Sequence, residues 1–147
     1  VMHCAMLADE ELEVLQGNAE IVRHGKKIAS VRANAQYILD VREEHGSYGA
    51  FLQAWPDEDF VGLWSHLKTN GSRLGGQTGR YCLRFLGYDT PLFSADVVAA
   101  LIDAEVVDKN PTSKRDLLKV QDAFNTWREE SGRSLNEISR VLAFSTG

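Results

Sequence analysis

Apolar residues recur along this chain at the spacing of amphipathic helices. In residues 26–44, apolar side chains stand at positions 28, 31, 35, 38, 39 and 41, close to a period of 3.6 residues. The apolar-polar alternation typical of strands does not extend over any useful length. The pattern therefore predicts an all-α protein.

Capping and helix-breaking residues divide the remaining chain into further helices. Ser, Asp or Asn precedes several apolar-periodic segments, and Gly or Pro ends them. Ser47 and Ser94 are the expected N-caps of two helices, and Asp57 or Glu58 is expected to open another. We expect a single domain, residues 1–147, of about eight short helices: 9–15, 26–44, 48–55, 60–68, 77–86, 96–104, 114–130 and a last one ending at 144.

Composition narrows the class of protein without naming a function. Hydrophobic residues make up 44% and charged residues 25%, as in soluble globular domains, and the formal net charge is −5. The two cysteines, Cys4 and Cys82, form no metal-binding or disulfide pattern, which favours a reducing cytoplasm. No apolar run approaches the roughly 18 residues of a membrane span. Because Val1 precedes Met2, we expect a possible fragment of a longer chain.

The segment SRLGGQTGRYCLRFLG, residues 72–87, combines glycines with fixed positive charge. Residues 62–88 contain four basic side chains and no acidic one. A glycine turn between two helices exposes the free N–H groups of the second helix, which favours an anion there. We therefore predict a phosphate-binding site formed by Arg73, Gly75, Gly76, Gln77, Thr78, Gly79 and Arg80. The alternative is a tight helix–helix turn with a capping glycine.

Asp96 is the candidate catalytic residue. It lies in the first turn of a helix that Ser94 is expected to cap, one short helix after the glycine turn. A carboxylate at this position is stabilised by the helix dipole. A purely structural role is the alternative, because acidic residues are common in first turns.

Other chemically capable side chains are expected to be structural. The four histidines do not show the spacing of a zinc site, and we expect them to be exposed or hydrogen-bonded. Trp55, Trp64 and Trp127 occupy helix positions that predict core packing, with stacking on a nucleic-acid base as the alternative. No metal or cofactor is expected.

Four features, in order along the chain, resemble the helix-hairpin-helix DNA glycosylase superfamily. RHGKKI at 23–28 resembles the family's Asn/Arg-x-x-Lys-Ala/Ile element, and an expected helix pair, 48–55 and 59–67, follows. LGGQT at 74–78 is similar to the family hairpin Leu-Pro-Gly-Val-Gly, and SADVV at 94–98 to a helix that opens with Asp. The chain also resembles bacterial 3-methyladenine glycosylases of the constitutive type I in IVRH at 21–24, LysIle at 27–28 and AsnAla at 34–35.

Two departures from the type I enzymes bear on what this resemblance implies. Those enzymes hold a structural zinc through Cys and His, whereas the last 40 residues here contain neither. Their base pocket uses an upstream helical segment that this chain is expected to lack. Asp96 resembles the catalytic Asp of the alkylpurine glycosylases instead.

The resemblance implies a base-excision repair enzyme of the bacterial cytoplasm. It would hydrolyse the N-glycosidic bond of alkylated purines such as 3-methyladenine in double-stranded DNA, as a monomer without membrane contact. Arg80 stands where members with lyase activity carry a nucleophilic Lys, and a guanidinium stays protonated, so a monofunctional enzyme is expected. A non-catalytic DNA-binding module and an all-α scaffold without nucleic-acid affinity are the alternatives.

Overall fold

The computed structural model describes residues 1–146, and this part of the chain folds into nine α-helices without a strand. The all-α class is confirmed, and the helix beyond the expected eight is the four-residue α1. Within the described residues, every helix is too short or too polar to span a bilayer. The helices are α1 Met2–Ala5, α2 Asp9–Gly17, α3 Gly25–His45, α4 Tyr48–Ala54, α5 Phe60–Asn70, α6 Gly76–Phe85, α7 Ala95–Asp103, α8 Lys114–Ser131 and α9 Leu135–Ser145.

Serine side chains begin most of the later helices. Each accepts a hydrogen bond from the backbone N–H three residues on, which satisfies one of the free donors of the first turn. The capping residues are Ser47 for α4, Ser94 for α7, Ser113 for α8 and Ser134 for α9. The cap of α5 is Asp59, which accepts from Gly62 N at 3.0 Å, and not Asp57 or Glu58 as the sequence suggested.

The core is centred on α5. Leu63 and Leu67 of this helix are fully buried, and Phe60 is 1% exposed. Helices α6 and α8 pack against α5, α9 packs against α7 and α8, and α3 carries α1, α2 and α4 on its surface. Because α5 is covered on several sides, it forms a rigid base for the turn that follows it.

The connection between α5 and α6 is a tight helical hairpin that requires glycine. A Cβ at Gly79 would overlap the carbonyl oxygen of Leu74, a backbone atom that cannot rotate away. A Cβ at Gly71 would lie 2.9 Å from the carbonyl oxygen of Leu67. The close approach of these backbone segments explains why the chain carries glycine on both sides of the turn.

Candidate functional site

The entry to the hairpin is held by an asparagine of α3. The Asn34 side chain donates to the Ser72 carbonyl at 2.9 Å and accepts from the Ser72 N–H at 2.7 Å. This paired contact joins residues 38 positions apart in sequence. In the sequence, Asn34 stands out only as part of the resemblance, although a polar residue among the apolar positions of α3 was a usable signal. Asn34 therefore fixes where the glycine turn lies.

The first turn of α6 is open to solvent. Its N-cap is Gly75, so no side chain bonds the free N–H groups there. Gly76, at φ +59°, Gln77 and Thr78 are all exposed. Backbone N–H groups in the first turn of a helix carry partial positive charge and favour an anion. The arrangement provides the donors that a phosphate group requires.

The four cations of the basic segment divide into two pairs. Lys68 and Arg73 are exposed, and Arg73 has φ +62°, in the left-handed region. Arg84 points inward and donates to the Thr90 carbonyl at 2.7 Å, and burial lowers its pKa. Arg80 is also directed inward. The charge that the surface of the hairpin presents therefore comes from Lys68 and Arg73.

Arg80 lies between two aromatic rings. Its guanidinium carbon is 3.9 Å from the centre of the Trp64 ring and 4.3 Å from that of Phe93, and the residue is 8% exposed. One guanidinium nitrogen donates to the Gln77 side-chain oxygen at 3.3 Å. Burial lowers the pKa of Arg80 to about 10, so the group stays protonated at neutral pH.

A cleft of about 910 Å³ opens between α5, α6 and the start of α8. Arg80 lines it together with the exposed amines of Lys68 and Lys114. Gly76 of the hairpin also lines the cleft, so the open turn of α6 and the cleft are continuous. This cleft was not expected from the sequence, because its walls come from segments far apart along the chain.

Asp96 is exposed at the second position of α7. Ser94 caps this helix by accepting from Val97 N at 3.2 Å, as the sequence predicted. The side-chain amide of Gln77 donates to the Phe93 carbonyl, which ties the start of α6 to the segment that leads into α7. Asp96 is not among the residues that line the cleft. The structure thus places Asp96 on the element next to the hairpin and outside the cleft.

The three tryptophans lie in or against the core, as expected, whereas one histidine differs from its expectation. Trp64 is buried in the core, and Trp55 and Trp127 are half-buried against it. His66 differs from the expectation of an exposed or hydrogen-bonded histidine. Its Nε2 is buried without a hydrogen-bond partner in the described part of the chain, and the ring lies 5.0 Å from that of Phe51. Burial lowers the pKa of His66.

The protein is all-α, and its glycine turn presents the free N–H groups of α6 at the surface. A family model described as methyladenine glycosylase matches residues 1–72. The match covers just under half of the chain and shows a likeness of this segment to that family, which supports a DNA glycosylase role in general.

The matched segment covers α1 to α5 and ends at Ser72. It includes Asn34 and stops just before Arg73, so neither the glycine turn nor Asp96 takes part in the match. No curated protein and no solved structure matches the chain. The family match therefore gives no support for a role of the hairpin or of Asp96, and only their positions in the structure bear on it.

Proposed function

We propose that this protein is a monofunctional DNA glycosylase. It hydrolyses the N-glycosidic bond of alkylated purines such as 3-methyladenine in double-stranded DNA, as a cytoplasmic monomer. The observation that carries the proposal is the open first turn of α6, tied through Gln77 to the segment that leads to Asp96. The family match to residues 1–72 supports the class of reaction.

The hairpin holds the DNA by its backbone. The exposed N–H groups of Gly76 and Thr78 bind one phosphate, and Arg73 adds positive charge at the surface. Gly79 and Arg80, which the sequence also assigned to this site, are buried. Contacts of this kind fix the position of the strand and carry no sequence information. Selectivity therefore comes from the damaged base, which leaves the stack at a lower cost than an intact one.

Asp96 stabilises the transition state of base loss. Alkylation of a ring nitrogen makes the purine cationic, so the base departs with the electron pair of the N-glycosidic bond and needs little acid catalysis. The sugar becomes an oxocarbenium-like cation, which the carboxylate stabilises while a water molecule adds to C1′ and loses its proton to the solvent. Asp96 is exposed at the start of α7, so its carboxylate is accessible to a bound strand.

Asp96→Asn tests the catalytic step. We expect base release from alkylated duplex DNA to fall by about 100-fold or more, because the amide cannot neutralise the developing charge. DNA affinity should remain nearly unchanged, since no phosphate contact is lost. Asp103→Asn, at the exposed opposite end of α7, is the matched control and should excise at the parent rate.

Two outcomes would change the proposal. If Asp96→Asn releases 3-methyladenine as fast as the parent, Asp96 has no catalytic role. If the protein binds duplex DNA but releases no base, whether it is tested with or without further residues upstream, it is a DNA-binding module.

Strand cleavage gives a separate test of monofunctional chemistry. A lyase forms an imine between a Lys amine and the abasic sugar, which borohydride reduces to a stable cross-link. Arg80 cannot form this imine because its guanidinium stays protonated. We expect no cross-link with abasic DNA. A cross-link that disappears in Lys68→Gln would show that the amine of Lys68, which lines the same cleft, acts as a nucleophile.

A further inference from the structure

The cleft is lined by more positive than negative side chains. Arg80, Lys68 and Lys114 line it, and none of them forms an ion pair in the described part of the chain. Asp59 is the acidic residue among the lining side chains, and one of its oxygens already caps α5 through Gly62 N. In a protein of net charge −5, a cleft with three cations and one engaged carboxylate is an electropositive site.

The guanidinium of Arg80 is the strongest sign of a missing anion. The residue is 8% exposed, and its Nε is buried without a hydrogen-bond partner among residues 1–146, whereas another guanidinium nitrogen donates to Gln77. A buried charge without a counter-charge destabilises a fold. Stacking on Trp64 and Phe93 offsets part of this cost. An anion in the cleft would offset the remainder.

The positive charge of Lys114 does not stabilise α8, the helix to which this residue belongs. It is the first residue of α8, whose Ser113 cap already satisfies a first-turn donor. A cation at a helix N-terminus faces the positive end of the dipole and is unfavourable. Lys114 therefore contributes nothing to α8 by its charge, and it faces the same cleft as Arg80 although it lies on a different element.

We propose that the cleft between α5, α6 and the start of α8 binds a phosphate group, held by Arg80, Lys68 and Lys114. This site is separate from the backbone N–H groups of the α6 turn, although Gly76 makes the two continuous. The phosphate belongs either to the DNA strand or to a free phosphate-bearing molecule. Only the DNA-strand source rests on the proposed function.

Lys114→Gln is the test variant, and Lys119→Gln is its matched control. Both lysines are exposed on α8, but Lys119 does not line the cleft. Affinity for fluorescein-labelled duplex DNA is measured by anisotropy over a range of salt concentrations. One lost phosphate contact lowers the slope of log affinity against log salt concentration by about 0.9. Lys114→Gln should therefore bind DNA about eight-fold more weakly than the parent at about 0.1 M salt. Lys119→Gln should match the parent.

The second arm uses inorganic phosphate alone. Titration of the 15N-labelled protein, with chloride at matched ionic strength as the control, is followed by the NMR signals of the Trp64 indole and the Lys114 amide. We expect phosphate-specific shifts that Lys114→Gln weakens. A change in both DNA affinity and these shifts supports a strand phosphate. Shifts without a change in DNA affinity support the site and assign it to a free phosphate-bearing molecule.

The proposal is overturned if Lys114→Gln changes neither DNA affinity nor the response to phosphate. That result leaves the proposed function standing when Arg73→Gly still weakens DNA binding. Conversely, if the parent excises no base but still shows the phosphate-specific shifts, the proposed function is wrong and the cleft site is supported. The two failures are therefore distinguishable.

Discussion

Substitution of Gly79 by Ala examines whether the hairpin is the rigid element that the proposed function needs. The added methyl group would overlap the Leu74 carbonyl oxygen and lie 3.6 Å from a methyl carbon of Leu67. Overpacking of this kind costs about 1–3 kcal/mol, and the upper end applies because the obstructing atom is backbone. Alanine recovers about 1 kcal/mol through helix propensity. We expect the free energy of unfolding to fall by roughly 2 kcal/mol.

Urea unfolding monitored by circular dichroism measures this change, with Gly49→Ala as the control. Gly49 lies in α4, and a Cβ there meets only the Ser47 hydroxyl oxygen at 3.8 Å. Gly49→Ala should therefore stabilise the protein by up to about 1 kcal/mol. Gly79→Ala should also lose DNA affinity while still folded, because its α6 turn has shifted. If Gly79→Ala is as stable as Gly49→Ala, the close backbone approach at the hairpin is refuted.

Three further predictions concern the surroundings of the hairpin. Arg73→Gly should weaken DNA binding but leave unfolding free energy within about 1 kcal/mol of the parent, because glycine relieves the positive φ; unchanged affinity would contradict a surface phosphate contact. Asn34→Ala should cost about 1–3 kcal/mol in urea unfolding, since it leaves the backbone groups of Ser72 without partners, and a neutral result would show that they are not needed. His66 has a pKa lowered first by burial and then by His45, with Glu44 opposing. Because the unfolded chain then binds more protons, the contribution of His66 to stability is complete above about pH 6.5. This contribution is lost as pH falls through the lower pKa that His66 has in the folded state. Unfolding measured from about pH 7.5 to about pH 5 should show this loss, and His66→Phe should reduce it; an equal slope in both would exclude His66 as the cause.

Local patterns were sufficient for the helices because their signals lie within a few residues. Ser47 and Ser94 cap the helices that follow them, as their positions predicted, and Gly46 and Gly132 follow the two longest helices. The choice of Asp59 over Asp57 and Glu58 as a cap was decided by which carboxylate the folded turn brings to the Gly62 N–H. The sequence prediction named only Asp57 or Glu58, because composition alone does not separate three adjacent acidic residues.

The sequence by itself determined the all-α class, the helix starts capped by Ser47 and Ser94, and the glycine turn, because helix periodicity and backbone freedom are properties of neighbouring residues. Only the tertiary structure decided which cations face outward. Arg80 turned inward because Trp64 from α5 and Phe93 from the segment before α7 meet around it. The cleft with Lys114 likewise exists only where α8 approaches the hairpin, since burial and charge pairing depend on residues that are distant in sequence and adjacent in space.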